Sequence, residues 1–399
     1  MDKIRQAVIL AGGEGTRLRP FTLKNPKPMV PIIGEPFLEY LISLLKQNGI
    51  KEVVILTGYL GEKIKEYFED GAKLDIKIQY SHTPFLNEKG QENESGIRLK
   101  NAQDLLDNFF LLLYCDNYWP LQLKKLIDFF NDHPSDVLVT AYSNLDNSTK
   151  NNILIEDGYV LKYDPLRIAK NLNGVDIGFF IVNMKILKLL PEHNSKFENV
   201  VLPQLIQKRR LAGFLSDQKY YSISDSDRVK TTAKFLSPKK VILLDRDGVI
   251  NKKPPKADYV KKWEEFEFLP GSIKAIKLLK DNGYKILIVS NQSGIARGKV
   301  SKKDLNLIHK KMQKELKRHG AKIDGIYYCP HGWDEGCECR KPKPGLLFRA
   351  SREHLFDLTK AIFIGDDERD KQAGDAVGCK TIMINAKKNL LQIAQDMAE

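Results

Sequence analysis

Val241-Ile-Leu-Leu-Asp245-Arg-Asp-Gly-Val-Ile-Asn251 decides the fold of the C-terminal half. Four apolar residues predict a buried strand, and two carboxylates follow directly at its end. The pattern then repeats. Tyr284-Lys-Ile-Leu-Ile-Val-Ser290 is a second apolar strand and runs into Asn291-Gln-Ser-Gly-Ile-Ala-Arg297-Gly298. Cys329-Pro-His331, Cys337-Glu-Cys339 and Arg340-Lys-Pro-Lys-Pro-Gly345 come next. Ala361-Ile-Phe-Ile-Gly365 then delivers Asp366-Asp-Glu-Arg-Asp370. Each chemical group lies just past the carboxyl end of a predicted strand, where open α/β sheets bind ligands. Helical patterns separate the strands. Ile273, Ile276, Leu278 and Leu279 form one apolar face before Tyr284,. This alternation predicts parallel sheets in both halves.

The residue types point to phosphoryl chemistry. Asp245 and Asp247 fit a nucleophile and a general acid/base, because a carboxylate can attack phosphorus and form an acyl phosphate. With Asp366 they would repel one another unless a hard cation lay between them. Mg²⁺ prefers such oxygen ligands and engages substrate phosphate as well. Ser290 and Asn291 offer hydrogen bonds to phosphoryl oxygens. Lys341 can hold nucleophile and phosphate together by charge.

Residues 238 to 385 resemble the haloacid-dehalogenase-like phosphatases, and within them the D-glycero-D-manno-heptose 1,7-bisphosphate phosphatases, with histidinol-phosphate phosphatases as near relatives. The resemblance implies Asp245 as nucleophile and Asp247 as acid/base. It implies Mg²⁺ held by Asp245, Asp366 and the Asp247 carbonyl, and phosphate held by Ser290 and Lys341. Arg340 would contact substrate, and Arg297 and Lys299 would face the sugar phosphate. Asp370 would be a supporting carboxylate. Asp367 stands where many relatives carry lysine.

Three of the five cysteines form Cys-x-His-x5-Cys-x-Cys with His331: Cys329, Cys337 and Cys339. Three thiolates and an imidazole suit a closed, structural Zn²⁺ site, which would clamp the loop carrying Arg340 and Lys341. Met1-Asp-Lys-Ile-Arg leads directly into a core strand with no signal-peptide pattern. The expected setting is cytoplasmic, where stable disulfides are disfavoured. Cys115 and Cys379 read as core residues.

The N-terminal half carries another signature. The buried strand Gln6-Ala-Val-Ile-Leu-Ala11 precedes Gly12-Gly-Glu-Gly-Thr-Arg-Leu-Arg-Pro20, and Pro26-Lys-Pro-Met-Val-Pro31 follows. Gly12, Gly13, Gly15 and Thr16 let backbone N–H groups approach phosphate. Arg17 and Lys27 add positive charge for a triphosphate and a pyrophosphate leaving group. No Gly-Lys-Ser/Thr closes the loop, so it is not a Walker motif. Residues 1 to 236 resemble the sugar-1-phosphate nucleotidyltransferases. That resemblance implies a mixed sheet of the Rossmann-like, GT-A-like type. It implies Mg²⁺ on Asp116 at the end of Phe109-Phe-Leu-Leu-Leu-Tyr-Cys-Asp116, with Asn117 as its polar neighbour. Asp176 in Asn173-Gly-Val-Asp-Ile-Gly-Phe-Phe-Ile-Val182 would meet sugar hydroxyls. Three segments depart from the family. Ser222 stands where a second metal-binding Asp is usual, and Asp225 and Asp227 are either its substitutes or caps of a helix over 228–236. Glu94-Ser-Gly-Ile-Arg98 replaces a base-facing Leu-Gly-Thr run, and Tyr163-Asp-Pro-Leu-Arg167 replaces Glu-Lys-Pro.

The remaining signals bound the function. A length of 399 residues suggests two or three domains,, and Leu236-Ser-Pro-Lys-Lys240 is the expected seam. The expected domains are 1–237, a nucleotidyltransferase, and 238–399, a phosphatase with a zinc loop. No run reaches the ~20 apolar residues of a membrane span. The net charge of +13 is uneven. Residues 1–237 hold 31 Lys and Arg against 29 Asp and Glu, or +2, and residues 238–399 hold 33 against 22, or +11. The lysines, as in Lys252-Lys-Pro-Pro-Lys256, are dispersed without interleaved aromatics. They fit steering of a bisphosphate better than nucleic acid. The expected partners are a sugar phosphate and a nucleoside triphosphate, with no nucleic acid and no membrane, and with a homo-oligomer left open. The expectation is a bifunctional enzyme that makes an NDP-heptose for a surface glycan, with GTP the preferred donor by family analogy. Two alternatives remain: a histidinol-phosphate phosphatase fused to a transferase-like domain, and a phosphatase with a non-catalytic nucleotide- or sugar-phosphate-binding module.

Overall fold

A computed structural model describes residues 3–255, 258–385 and 388–398. Met1, Asp2 and Lys256 of the segments quoted above lie outside the described residues. The chain divides into two compact units, Met1–Lys234 and Phe235–Glu399.

The first unit is built on nine strands: β1 (Gln6–Ala11), β2 (Glu52–Thr57), β3 (Lys77–His82), β4 (Phe109–Tyr114), β5 (Val137–Tyr142), β6 (Ile153–Glu156), β7 (Tyr159–Tyr163), β8 (Val175–Asn183) and β9 (Leu211–Ser216). Their order across the sheet is β3-β2-β1-β4-β8-β5-β9-β7-β6. β1, β2, β3 and β4 run parallel. β8 is antiparallel to both β4 and β5. The sheet is therefore mixed, as the family resemblance implied. The parallel sheet expected from strand–helix alternation does not hold here. At one edge the reason is local: β6 and β7 are joined by a tight turn at Asp157 and Gly158, both at positive φ, and a two-residue turn makes antiparallel neighbours. β1 and β4 are buried along nearly their whole length, as strands covered on both faces must be.

The second unit is a five-stranded sheet: β10 (Val241–Leu244), β11 (Lys285–Asn291), β12 (Gly325–Cys329), β13 (Ile362–Gly365) and β14 (Lys380–Met383). The order is β12-β11-β10-β13-β14, and every pairing is parallel. Side chains alternate across the sheet with period two. Ile242 and Leu244 enter one core, with Ile276, Ile288 and Met312. Val241 and Leu243 enter the other, with Leu347, Phe363 and Cys379. In helix Ser272–Asp281 the buried stripe is Ser272, Ala275, Ile276 and Leu279. Ile273 and Leu278, expected on the core face, are only partly buried against it. The 3.6-residue repeat centres the stripe on 272, 275, 276 and 279, so 273 and 278 flank it.

No described helix is long and apolar enough to cross a membrane.

Candidate active sites and metal centre

In the second unit, β10, β11 and β13 end side by side, so Asp245, Ser290, Asn291 and Asp366 emerge along one edge. Lys341 arrives there from the loop after the cysteine cluster. It is 2% exposed, and its Nζ lies 2.9 Å from Asp245 Oδ1 and 2.6 Å from Asp370 Oδ1. It also donates to the Val289 carbonyl at 2.8 Å. Burial pushes the Asp245 carboxyl up and Lys341 pulls it back, while Asp370 and Asp247 raise it further. Burial disfavours the Lys341 cation, but Asp245 and Asp370 outweigh it and raise its proton affinity. A buried ammonium between two carboxylates leaves one net negative charge, which favours a further cation.

Asp247 is held by a separate network. Arg246, wholly buried, donates to both Asp247 oxygens from Nη2 at 2.9 Å. Asn251 Nδ2 and Gln292 Nε2 add bonds of 2.8 and 2.9 Å. Burial would raise this carboxyl, but Arg246, Asn251 and Gln292 hold it below the usual carboxylate range. Gln292 Nε2 also donates to Ser290 Oγ at 2.9 Å, so the acid/base candidate and the phosphate-binding candidate share one amide.

Asp245, Asp366 and Asp370 place carboxylate oxygens within 4.8 Å of one another. Asp366 Oδ1 is buried with no hydrogen-bond partner, an unsatisfied oxygen that a cation would satisfy, while Oδ2 is paired with Lys253,. Asp370 is already engaged by Lys341 and by the amides of Asp366 and Asp367, each at 3.1 Å. It therefore fits positioning better than ligation. A Cβ on Gly248 would lie 2.2 Å from Asp366 Oδ2. The backbone at Gly248, next to Asp247, thus lies against Asp366. The residues fit Mg²⁺.

Asp245, Asp247, Ser290, Asn291, Arg297, Arg340 and Lys341 all line one cleft of about 590 Å³. Two of the expected residues are placed differently from the rest. Asn291 turns its amide to the Lys341 backbone, donating at 3.0 Å and accepting at 3.1 Å. It clasps the lysine loop with its oxygen and one amide hydrogen, which leaves one N–H at the cleft for a phosphoryl oxygen,. Lys299 is exposed and is not among the residues lining the cleft, its amide tied back to the Gly294 carbonyl at 2.8 Å. Asp367, the departure from the family pattern, caps helix Glu368–Ala376 in a reciprocal capping box with Asp370,. Arg369 and Lys253 neutralise it at 2.7 and 3.4 Å. Lys253 also reaches Asp366 at 2.8 Å.

Cys329, His331, Cys337 and Cys339 form the second ligand group. Cys329 Sγ lies 3.6 Å from both Cys337 Sγ and His331 Nδ1, Cys339 Sγ lies 3.6 Å from Cys337 Sγ, and His331 Nδ1 lies 3.2 Å from Cys339 Sγ. These are tetrahedron edges, since Zn–S bonds of ~2.3 Å put sulfurs about 3.7 Å apart. They are far too long for disulfides, and all five cysteines are free. The set fits Zn²⁺. Cys115 and Cys379 are raised to about 12, both first by burial, which leaves them unreactive.

In the first unit, Gly12, Gly13, Gly15, Thr16, Arg17, Lys27 and Asp116 line a cleft of about 370 Å³. Lys27 Nζ meets Asp116 Oδ2 at 2.5 Å. Gly15 has φ +67°, and a Cβ there would also lie 2.9 Å from the Lys27 Cβ. Gly12 has a reason the sequence did not show. Arg98, 4% exposed, donates to the carbonyls of Gly12, Thr57, Thr83 and Asn93. A Cβ on Gly12 or Gly58 would strike its guanidinium at 2.4 Å. Burial lowers the proton affinity of Arg98, against Glu92 and Glu94.

Asp176, expected to meet sugar hydroxyls, is not among the residues lining this cleft. It bonds Tyr163 Oη at 3.2 Å and the Gly178 amide at 2.8 Å, where β8 shifts register between Asp176 and Phe180. Burial raises it to about 6. Ser222 pairs with Asn117 in a short ladder and bonds Ser224 and Arg228. Asp225 accepts the Arg228 amide at 2.9 Å, a helix cap, and Asp227 pairs with Lys230. Neither lines the cleft with Asp116. One carboxylate plus substrate phosphates still fits Mg²⁺.

Residues 6–151 match the Nucleotidyl transferase family. Residues 240–389 match the Polynucleotide kinase 3 phosphatase family. The D-glycero-beta-D-manno-heptose-1,7-bisphosphate 7-phosphatase of Bordetella bronchiseptica is 41% identical over 156 residues, 38% of this chain and 86% of that protein. The chain belongs, through its C-terminal half, to the heptose-1,7-bisphosphate 7-phosphatase family. The D-glycero-alpha-D-manno-heptose-1,7-bisphosphate 7-phosphatase of Campylobacter jejuni is 45% identical over 152 residues, 37% of this chain and 84% of that protein. A Bacillus anthracis structure described as a glucose-1-phosphate thymidylyltransferase in complex with a sucrose has a TM-score of 0.50 and 16% identity. It covers 59% of this chain and 97% of that one, and it shows the fold of the first unit. The chain is an enzyme that joins a nucleotidyltransferase domain to a family phosphatase.

Proposed function

We propose that this enzyme removes the 7-phosphate of D-glycero-D-manno-heptose 1,7-bisphosphate and then joins the resulting 1-phosphate to a nucleoside monophosphate, from GTP by preference. The observation that carries the reading is the Asp245–Lys341–Asp370 chain beside the Arg246-anchored Asp247, in a half that aligns along nearly the whole length of heptose bisphosphate phosphatases. The product of one site is the acceptor of the other, which gives the two domains a common substrate. We assign residues 1–237 to the transferase and 238–399 to the phosphatase.

In the phosphatase, an Asp245 oxygen attacks phosphorus while the bond to the sugar oxygen breaks, and Asp247, ionised in the empty site, takes up a solvent proton as the anionic phosphate enters and gives it to that oxygen,. Asp247 then takes a proton from water, the water oxygen attacks the aspartyl phosphate, and phosphate leaves with Asp245 restored. Ser290 and Lys341 hold the phosphoryl oxygens. Mg²⁺ on Asp245, Asp366 and the Asp247 carbonyl would supply neutralisation of phosphoryl charge. Zn²⁺ on Cys329, His331, Cys337 and Cys339 would be structural. In the transferase, an oxygen of the sugar 1-phosphate attacks the α-phosphorus and pyrophosphate departs. The Gly12–Thr16 backbone, Arg17 and Lys27 hold the phosphates, and Asp116 would carry Mg²⁺.

The test is a substrate panel on the purified full chain with Mg²⁺. It comprises both anomers of the heptose bisphosphate, histidinol phosphate, and then heptose 1-phosphate with each nucleoside triphosphate. Phosphate release from a heptose bisphosphate and pyrophosphate release with GTP are expected. Preference for histidinol phosphate would overturn the phosphatase substrate. Absence of pyrophosphate with every triphosphate would overturn the transferase step and favour a binding module, for which Ser222 at a usual acidic position is the motive.

A further inference from the structure

Trp333 is 69% exposed, an uncommon state for the largest apolar side chain. It stands in the loop between His331 and Cys337, two members of the cysteine–histidine group. It does not project at random. The Arg297 guanidinium carbon lies 3.6 Å from its ring centroid, close contact for a cation over an aromatic face. Trp333 and Arg297 both line the cleft that holds Asp245, Asp247 and Lys341. The reaction proposed above uses the carboxylates, Ser290 and Lys341, and leaves the indole without a task.

We infer that Trp333 is a specificity-determining residue, a platform on which the carbon skeleton of a sugar phosphate rests while Arg297, fixed against the ring, faces the phosphate that is not transferred. The chemistry suits that class of ligand. A sugar presents C–H groups that pack on an aromatic face, and its second phosphate needs a cation. A cation held against an indole is already ordered, so less conformational freedom is lost on binding. Because the platform is carried between two ligands of the metal group, the zinc loop would set substrate affinity as well as local stability. The inference rests on the sugar-phosphate reading of this cleft.

The experiment uses the full-length enzyme and the variants Trp333→Ala and Trp333→Phe. Steady-state phosphate release is measured with heptose 1,7-bisphosphate and with acetyl phosphate, a donor with no sugar. Trp333→Ala should raise KM for the heptose substrate roughly tenfold, the ratio carried by ~1.4 kcal/mol. It should leave kcat within about twofold and acetyl phosphate turnover unchanged. Trp333→Phe should recover most of the affinity. Titration with heptose 1-phosphate should change tryptophan emission in Trp119→Phe but not in Trp119→Phe/Trp333→Phe, a background that removes the indole near the Asp116 site and leaves only Trp263, packed on Phe266. An unchanged KM in Trp333→Ala, or an equal loss with both donors, would overturn the platform. If wild type rejects heptose bisphosphate but accepts another sugar phosphate, the substrate assignment fails and the same comparison is made on that sugar. If it accepts only non-sugar esters, both fail.

Discussion

Arg246 heads the fully buried side chains of the described residues by volume. A guanidinium in that position is costly unless every direction is satisfied, and here Asp247, Gln292 and His309 surround it. The arrangement keeps Asp247 in one rotamer and apart from Lys341, which Asp245 and Asp370 face. Asp245→Asn should therefore abolish phosphate release by several powers of ten, since each ~1.4 kcal/mol of barrier is tenfold. The fold and zinc content should survive, because asparagine is isosteric. Turnover near wild type in a phosphate-release assay would remove Asp245 from the nucleophile's role.

At the scale of elements, helix Lys302–Arg318 packs against the sheet through a histidine. Burial and then Arg246 depress His309 to about 3. An unfolded histidine titrates near ~6.5, so between these values the unfolded chain binds more protons. The stability that this neutral histidine permits is complete above pH ~6.5 and is lost as pH falls towards about 3. The effect is of the order of a few kcal/mol, and His309→Gln should flatten it. Urea unfolding midpoints at pH 7.5 and pH 5 measure the difference. An equally steep acid loss in the variant would place its source elsewhere. The cysteine loop is the other element with a defined dependence. Cys337→Ser should lower bound zinc from about one per chain and weaken phosphatase turnover through the Arg340–Lys341 segment that follows it. Elemental analysis showing no zinc in wild type purified without chelator would count against the site.

For the whole molecule, the two reactions should separate by mutation. Asp116→Ala should stop pyrophosphate release, because the substrate phosphates lose their carboxylate-held counter-charge, and should spare phosphate release. Asp245→Asn should leave transfer to supplied heptose 1-phosphate intact. Side-by-side assays of both products on both variants decide the matter. Slowing of the phosphatase by Asp116→Ala would show that the two halves are coupled catalysts.

The sequence alone determined the strands that begin near Gln6, Phe109, Val175, Val241, Lys285 and Ile362, the order of the phosphoryl-transfer residues along them, and the four metal-type ligands. Apolar runs of four to seven residues that end in carboxylates or a Ser-Asn pair have few other uses, and ligand spacing is local. Asp245, Ser290, Lys341 and Asp366 were legible for that reason. Only the tertiary structure decided which groups are left free once neighbours have taken their hydrogen bonds. Asn291 is oriented by the Lys341 backbone, Asp176 bonds Tyr163 and Gly178, and Asp225 caps a helix end. Gly12 answers to Arg98, 86 residues away along the chain, and Trp333 meets Arg297 across two separate loops. Such contacts join residues distant in the chain and leave no periodic trace in it. They follow from how the sheet brings its strand ends together, which sequence spacing does not record.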